Sequence, residues 1–235
     1  SDTDVVDYDT GAFGSAGTVV AGRAVLAACE RLRSEIIEAA AELTGVSPTS
    51  CTRGRQGVQC SGEFIDFAQL PTGLVGHGYH GGTPRSVAFN VHAFQVAVDV
   101  ETGQVQILRS VQAADAGVVM NVEQCRGQIE GGVAQAIGSS LYEELHIASD
   151  GTVLTQTLRD YHIPQLADLP VTEVLFADTY DELGPMGAKS MSESPYNPVA
   201  PALANAIADA CGARLHQLPM TPARILRAIT AHNDG

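Results

Sequence analysis

Apolar residues at Val25, Cys29, Leu32, Ile36 and Leu43 recur at close to helical spacing and predict a long amphipathic helix that runs to about Thr44. A glycine-rich stretch, Gly11 to Gly17, precedes it and reads as a loop feeding the helix. Residues 45–62 are rich in Gly, Ser, Thr and Arg and show little periodicity, which predicts an irregular connection with room for some extended structure. Between Val87 and Val100 the period falls to two. Phe94, Val96, Val98 and Val100 share one face and Phe89, Val91, Ala93 and Ala97 the other, so this strand is expected to be buried on both sides. Asp99 to Val105 then reads as a hairpin loop with Gly103 at a positive φ, returning through Val105, Ile107 and Val111 as the antiparallel partner.

Farther along, Ile129, Val133, Ile137, Leu141 and Leu145 fall four residues apart and predict a helix over about 122–145. Gly131, Gly132 and Gly138 interrupt it, and because glycine costs helix stability they imply close approach of another backbone or a ligand. A strand is expected over 171–176 and a loop over 184–198. Pro198 suits the first turn of an Ala-rich helix carrying Val199, Leu203 and Ile207, and Thr221 followed by Pro222 starts a final helix.

Charge narrows the partners. Acidic residues number 27 against 13 basic ones, giving −14, and no Lys/Arg-rich run occurs, so electrostatics opposes nucleic-acid binding. No apolar stretch approaches the roughly 20 residues a membrane helix needs, and the start, from Ser1 to Asp4, lacks the character of a signal peptide. A soluble cytoplasmic protein is the expectation. The five cysteines, Cys29, Cys51, Cys60, Cys125 and Cys211, are odd in number and never in a Cys-x-x-Cys arrangement, so reduced thiols are expected rather than a disulfide framework or a metal cluster. The missing initiator Met suggests a piece of a longer polypeptide.

Candidate chemistry lies where glycine-rich loops meet predicted helix starts, at 11–17, 125–132 and 187–198, because such junctions present backbone N–H groups to anions. The third contains Gly187, Lys189 and Glu193, followed by Pro195, Pro198 and an Ala-rich helix. This Gly-x-Lys-x-x-x-Glu loop resembles the catalytic loop of the molybdenum hydroxylases, the xanthine dehydrogenase and aldehyde oxidase family. Two further blocks are similar to that family in order and separation. One runs from Asp9 and Thr10 through Gly14, Ser15 and Gly17 to Val25. The other is Gly127 to Gly132, preceded by Asp115, Gly117 and Asn121 and followed by Glu143 and Glu144. The likeness extends from about Asp2 to Ile229.

The resemblance implies an α+β fold of mixed or antiparallel sheets packed with helices, as in the C-terminal molybdopterin-binding domain of the family. Residues 1–235 would be its C-terminal part, with a division into subdomains near 110–120. It implies Glu193 as catalytic base, Gly14, Ser15, Gly17, Gln128 and Ser190 as cofactor contacts, and Lys189 as a supporting residue at the cofactor. The cofactor would be molybdenum–molybdopterin, in the cytosine dinucleotide form of bacterial relatives. The implied reaction hydroxylates an electron-poor carbon of a heteroaromatic ring or an aldehyde, with water as oxygen source. Neither clustered cysteines nor a dinucleotide fingerprint is present, so 2Fe-2S clusters and FAD are expected on other domains or subunits. The N-terminal half of the molybdopterin subunit, with most of the pocket for a small-molecule substrate, is expected as a further partner.

Ser190 and Ser192 depart from the family loop, where glycines are usual, and serine is less tolerant of a positive φ. A scaffold that keeps the fold without turnover is the competing function. Glu193 has the competing role of helix-dipole partner to the next helix, Gln128 that of satisfying a buried backbone group, and Lys189 that of pairing with a carboxylate. His77, His80 and His92 lack a third ligand at useful spacing. Cys125 reads as a buried apolar thiol.

Overall fold

A computed structural model describes residues 2–5, 8, 11–82, 84 and 86–233. Asp9 and Thr10 of the first family-like block lie outside the described residues. The chain divides into two compact units, Ser1–Arg85 with Glu182–Met186, and Ser86–Asp181 with Gly187–Gly235. Residues 110–120, where the sequence suggested a division, lie inside the second unit, within and just beyond a strand of its sheet.

In the first unit, helix α1 spans Gly17–Thr44 and ends on Gly45, whose left-handed backbone (φ 67°) returns its N–H to the Ala41 and Glu42 carbonyls. Strands β1 (Cys51–Arg53), β2 (Gly57–Cys60) and β3 (Glu63–Asp66) form an antiparallel sheet. Ala40 and Ala41 of α1 pack on Val58, Cys60 and Ile65. The predicted stripe on α1 is only partly used, since Val25 and Leu43 are exposed.

This sheet replaces the expected irregular connection and overturns the expectation of reduced thiols. Register places Cys51 opposite Cys60, and their sulfurs are bonded. Cysteines nine apart in sequence meet because a tight antiparallel turn brings their Cα atoms to 4.1 Å. Cys29, Cys125 and Cys211 are free thiols.

In the second unit, β4 (Asn90–Val98) pairs antiparallel with β5 (Val105–Ala114), which pairs in parallel with β6 (Thr172–Phe176). Gly103 turns the hairpin at φ 75°. Helices α2 (Val122–Leu141), α3 (Val199–Cys211) and α4 (Pro222–Asn233) complete the unit. Ile129, Val133 and Ile137 of α2, Leu203 and Ile207 of α3 and Ile225 of α4 are fully buried in one core. Phe94, Val96 and Val98 pack against it, as their shared face predicted. Phe89 and Val91 on the other face are exposed, which corrects the expectation of burial on both sides. Helix α2 ends at Leu141, four residues short of the predicted limit, and leaves Leu145 exposed beyond it. The result is the expected α+β architecture, with one antiparallel and one mixed sheet.

Candidate active-site loop and helix starts

The loop that carries Lys189, Ser190 and Glu193 is anchored from its first residue. Gly117 and Gly187, both left-handed (φ 61° and 89°), lie where two backbone segments cross, so close that a Cβ on Gly117 would stand 2.2 Å from the Gly187 carbonyl oxygen. Val118 N–H donates to that oxygen at 2.8 Å, and Lys189 N–H donates to the Ala116 carbonyl at 2.9 Å. Only glycine allows this approach.

The Lys189 ammonium turns inward. It donates to Asp115 Oδ2 at 2.6 Å and to the Val87 carbonyl at 3.3 Å, and the two charged side chains are 14% and 9% exposed. Thr179 Oγ1 and the Gly117 N–H donate to Asp115 Oδ1. Burial pushes the Asp115 pKa upward, but the Lys189 ammonium, the Thr179 hydroxyl and the Gly117 N–H together hold it below its ordinary 3.8. Lys189 therefore ties the loop to Asp115 through a carboxylate pair, the alternative role that its sequence allowed.

Beyond Lys189, exposure alternates. Ser190 is half-buried, Met191 inserts into the core, Ser192 is half-buried, Glu193 is exposed and Pro195 is buried. Neither serine adopts a positive φ, so their replacement of glycine does not strain the loop. Ser194 Oγ donates to the Met191 carbonyl at 2.7 Å, and Tyr196 N–H donates to the Glu193 carbonyl at 3.2 Å. Among the described residues, three contacts support the turn thus formed. Gln112 Nε2 of β5 donates to the Pro195 carbonyl at 2.9 Å, Pro195 packs on Gly132 of α2, where an added Cβ would stand 3.2 Å from Pro195 Cβ, and Tyr196 and Ser139 share a hydroxyl hydrogen bond at 2.7 Å. Helix α3 begins at Pro198 with no side-chain cap, so Glu193 does not serve as its N-cap.

Helix α2 begins at Asn121, whose side chain accepts from the Gln124 N–H. Gln128 is exposed, so its amide is not spent on a buried backbone group. The helix glycines divide into two kinds. Gly132 and Gly138 are close-packed, against Pro195 and against Glu143 and Pro164, whereas a Cβ on Gly127 or Gly131 would meet nothing within 4 Å. Gln128, Lys189, Ser190 and Glu193 all belong to the second unit, on α2 and on the loop that packs against it.

Gly14, Ser15 and Gly17 belong to the first unit. Gly14 and Ser15 are both left-handed (φ 63° and 57°) in a short 3-10 turn, Phe13–Ser15, and α1 starts just after it with no side-chain cap on its free N–H groups. Arg23, one turn into α1, donates to the carbonyls of Glu182 and Leu183, and Gly22 accommodates Pro185.

Several other groups stand elsewhere. The His92 imidazole stacks on Phe94 with ring centroids 4.0 Å apart and shares a 3.0 Å hydrogen bond with Ser110 Oγ, which in turn contacts Thr172 Oγ1 at 2.8 Å. Burial pushes the His92 pKa down to about 4, with the Gln112 side chain pulling the other way. Burial pushes the Cys125 thiol up, as suits a half-buried apolar cysteine. No cluster of three or more His, Cys, Asp or Glu side chains that would hold a metal occurs among the described residues, and none of their helices is long and apolar enough to cross a membrane.

Comparison with known proteins gives this arrangement a context. The sequence pattern of a family described as the molybdopterin cofactor-binding domain matches residues 1–170. Over 97% of its length the chain is 34% identical to a "Probable hypoxanthine oxidase" of Escherichia coli (strain K12), covering 25% of that protein. Over 95% it is 31% identical to the "Xanthine dehydrogenase molybdenum-binding subunit" of Escherichia coli O157:H7, covering 32%. The fold is similar to that of quinoline 2-oxidoreductase from Pseudomonas putida 86, with TM-score 0.84 and 28% identity over 96% of this chain and 31% of that one. The chain thus spans about a quarter to a third of the length of these proteins.

Proposed function

Since the chain belongs to the molybdopterin cofactor-binding domain family of the molybdenum hydroxylases, we propose that it is the C-terminal part of the molybdenum subunit of an oxidoreductase that hydroxylates a heteroaromatic or aldehyde carbon with water as oxygen donor. The observation that carries the reading is the Glu193 turn. An exposed carboxylate stands on a backbone fixed by Gln112, Gly132 and Ser139, within a loop anchored through Lys189 and Asp115. A base must be held within hydrogen-bond reach of the proton it takes, and this loop supplies a rigid platform for one.

The residues present fit a pterin group that carries phosphate. The uncapped start of α1 offers unpaired N–H groups and the positive end of a helix dipole, behind the left-handed pair Gly14 and Ser15. Gly127 and Gly131 leave bare backbone beside the exposed Gln128 amide. In this reading Gly14, Ser15 and Gly17 are cofactor contacts offered by the first unit, Gln128 and Ser190 are cofactor contacts offered by the second, and Lys189 positions its loop. The molybdenum group, when bound, supplies the two-electron redox chemistry. Glu193 takes the proton from the water-derived oxygen that attacks the substrate carbon.

The relatives named above act, by name, on hypoxanthine, xanthine and quinoline, which favours a nitrogen heteroaromatic over an aldehyde. The proposal also includes the cytosine dinucleotide form of the cofactor, an N-terminal half that completes the pocket, and 2Fe-2S and FAD carriers on other domains or subunits. A cytoplasmic location belongs to it as well. The Cys51–Cys60 bridge opposes that location, because cytosolic thiols are kept reduced.

Glu193→Gln tests the assignment in the assembled enzyme. Turnover is expected to fall by about 10²–10⁴-fold, the range of a lost general base, while molybdenum and pterin content stay unchanged. Retained turnover with full molybdenum content would remove Glu193 from the mechanism.

A further inference from the structure

We propose that Gln112 is a positioning residue for the reaction: its buried amide fixes the Glu193 turn through the Pro195 carbonyl, and so sets where the Glu193 carboxylate stands. The inference rests on the reading of Glu193 as the base.

Gln112 is fully buried in β5, the middle strand of its sheet, directly opposite His92 on one side and Val174 on the other. The Pro195 carbonyl can only accept, so the amide nitrogen must face it, at 2.9 Å. Pro195 is itself buried and lies two residues after Glu193. The backbone N–H groups of the turn are directed at other carbonyls, those of Met191, Glu193, Ser194 and Tyr196. Without Gln112, the carbonyl of the buried Pro195 would lose this hydrogen bond.

The cost of this arrangement is visible at the other atom of the amide and on the neighbouring strand. Gln112 Oε1 and His92 Nδ1 are both buried without a hydrogen bond of good geometry. An apolar side chain at 112 would spare the sheet that desolvation. A polar group kept in the core against that cost, and aimed at one carbonyl beside the candidate base, is a device for geometry rather than stability. Of the supports that the described residues show, the Gly132 contact is apolar packing and the Ser139–Tyr196 bond is exposed, whereas Gln112 is a directional tether screened from water.

The test uses the assembled, molybdenum-loaded enzyme with Gln112→Met, which keeps volume and removes the donor. Amide hydrogen exchange at Tyr196, Asn197 and Val199 is expected to rise at least tenfold while exchange in α2 stays as in the parent. In parallel, kcat is expected to fall by about tenfold or more with KM and molybdenum content little changed, because a shift near 1 Å at a reacting group costs up to 10²-fold. Parental exchange in 194–199 with parental kcat overturns the proposal. So does a rise spread evenly over the sheet and α2, which marks a structural role alone. Should Gln112→Met not fold, Gln112→Asn shortens the arm by one methylene with both polar atoms kept; the same local rise is expected, and parental exchange overturns it. The exchange readout does not depend on which residue is the base, so failure of the Glu193 reading, detected by Glu193→Gln, remains distinct from failure of this tether.

Discussion

Gly117 and Gly187 are shut in by the chain itself, each with another backbone or side chain where its Cβ would be, while Gly127 and Gly131, in the first half of α2, have open space there. Both pairs belong to the same unit, and of the four only Gly131 was read from sequence as a sign of close approach. In the first pair the approach is intramolecular, and the fold requires the glycines. In the second, nothing in this unit's own packing asks for them. Where a helix gives up side chains at a cost in stability and gains no internal contact, the gain has to come from something that docks there, which on the proposed function is the cofactor.

The sharpest way to break the comparison is to attack the closed region at its charge. Lys189→Met leaves the Asp115 carboxylate buried without its cation, and removing one partner of a buried pair costs about 3–5 kcal/mol. Thermal unfolding should therefore fall by roughly 10 °C, at about 2–4 °C per kcal/mol for a chain of this size. It should take turnover with it through the loop. A Lys189→Met enzyme of parental stability that has lost its cofactor would show instead that the ammonium serves the ligand and not the loop.

What the sequence made legible follows the physics of each segment. Period-two apolar patterning placed β4 and β5, and four-residue spacing placed the core face of α2, because burial on one face is written directly into residue order. Gln112 was not legible. Val105, Ile107 and Val111 read as one face of β5, but a bulge opposite Gln95 and Val96 adds Leu108 to the strand and reverses parity, so that Ser110, Gln112 and Ala114 turn inward instead. The polar pair Ser110 and Gln112 in an apolar strand was the available signal. The Cys51–Cys60 bridge was missed for a related reason. Three strands of three or four residues carry too few side chains to show a period, and register alone brings the sulfurs together. Glu193 was singled out only through resemblance, since nothing in one exposed carboxylate reveals that its turn is braced from below.

A smaller effect sharpens the closed side of the comparison from beneath its sheet. His92 has a pKa lowered from 6.5 to about 4 in the folded state, so the unfolded chain binds more protons between those values. Stability from the neutral imidazole is complete above about pH 6.5 and is lost as pH falls toward 4. A melting temperature that declines over that interval is expected, with the decline reduced in His92→Gln. Carboxyls held below their ordinary values, Glu144 under 4.5 and Asp115 under 3.8, also lose stability as pH falls toward 4, but they do so in both proteins, so the difference between parent and His92→Gln isolates the imidazole. An equal decline in both proteins would place the titrating group elsewhere.

The smallest effect has the opposite sign, and it tests the open side. Gly131→Ala adds a methyl group to a helix position with nothing within 4 Å, so the fold should gain about 0.5–1 kcal/mol from the better helix former. That is a rise of a few degrees at most in the melting temperature of the apo protein. If the bare backbone at Gly131 is there for a ligand to approach, the same substitution should lower pterin and molybdenum retention in the assembled enzyme, so that stability and loading move apart. Loss of both together would mean that Gly131 is needed by the fold after all, and a gain in stability with full loading would leave the open glycines without a ligand to account for them.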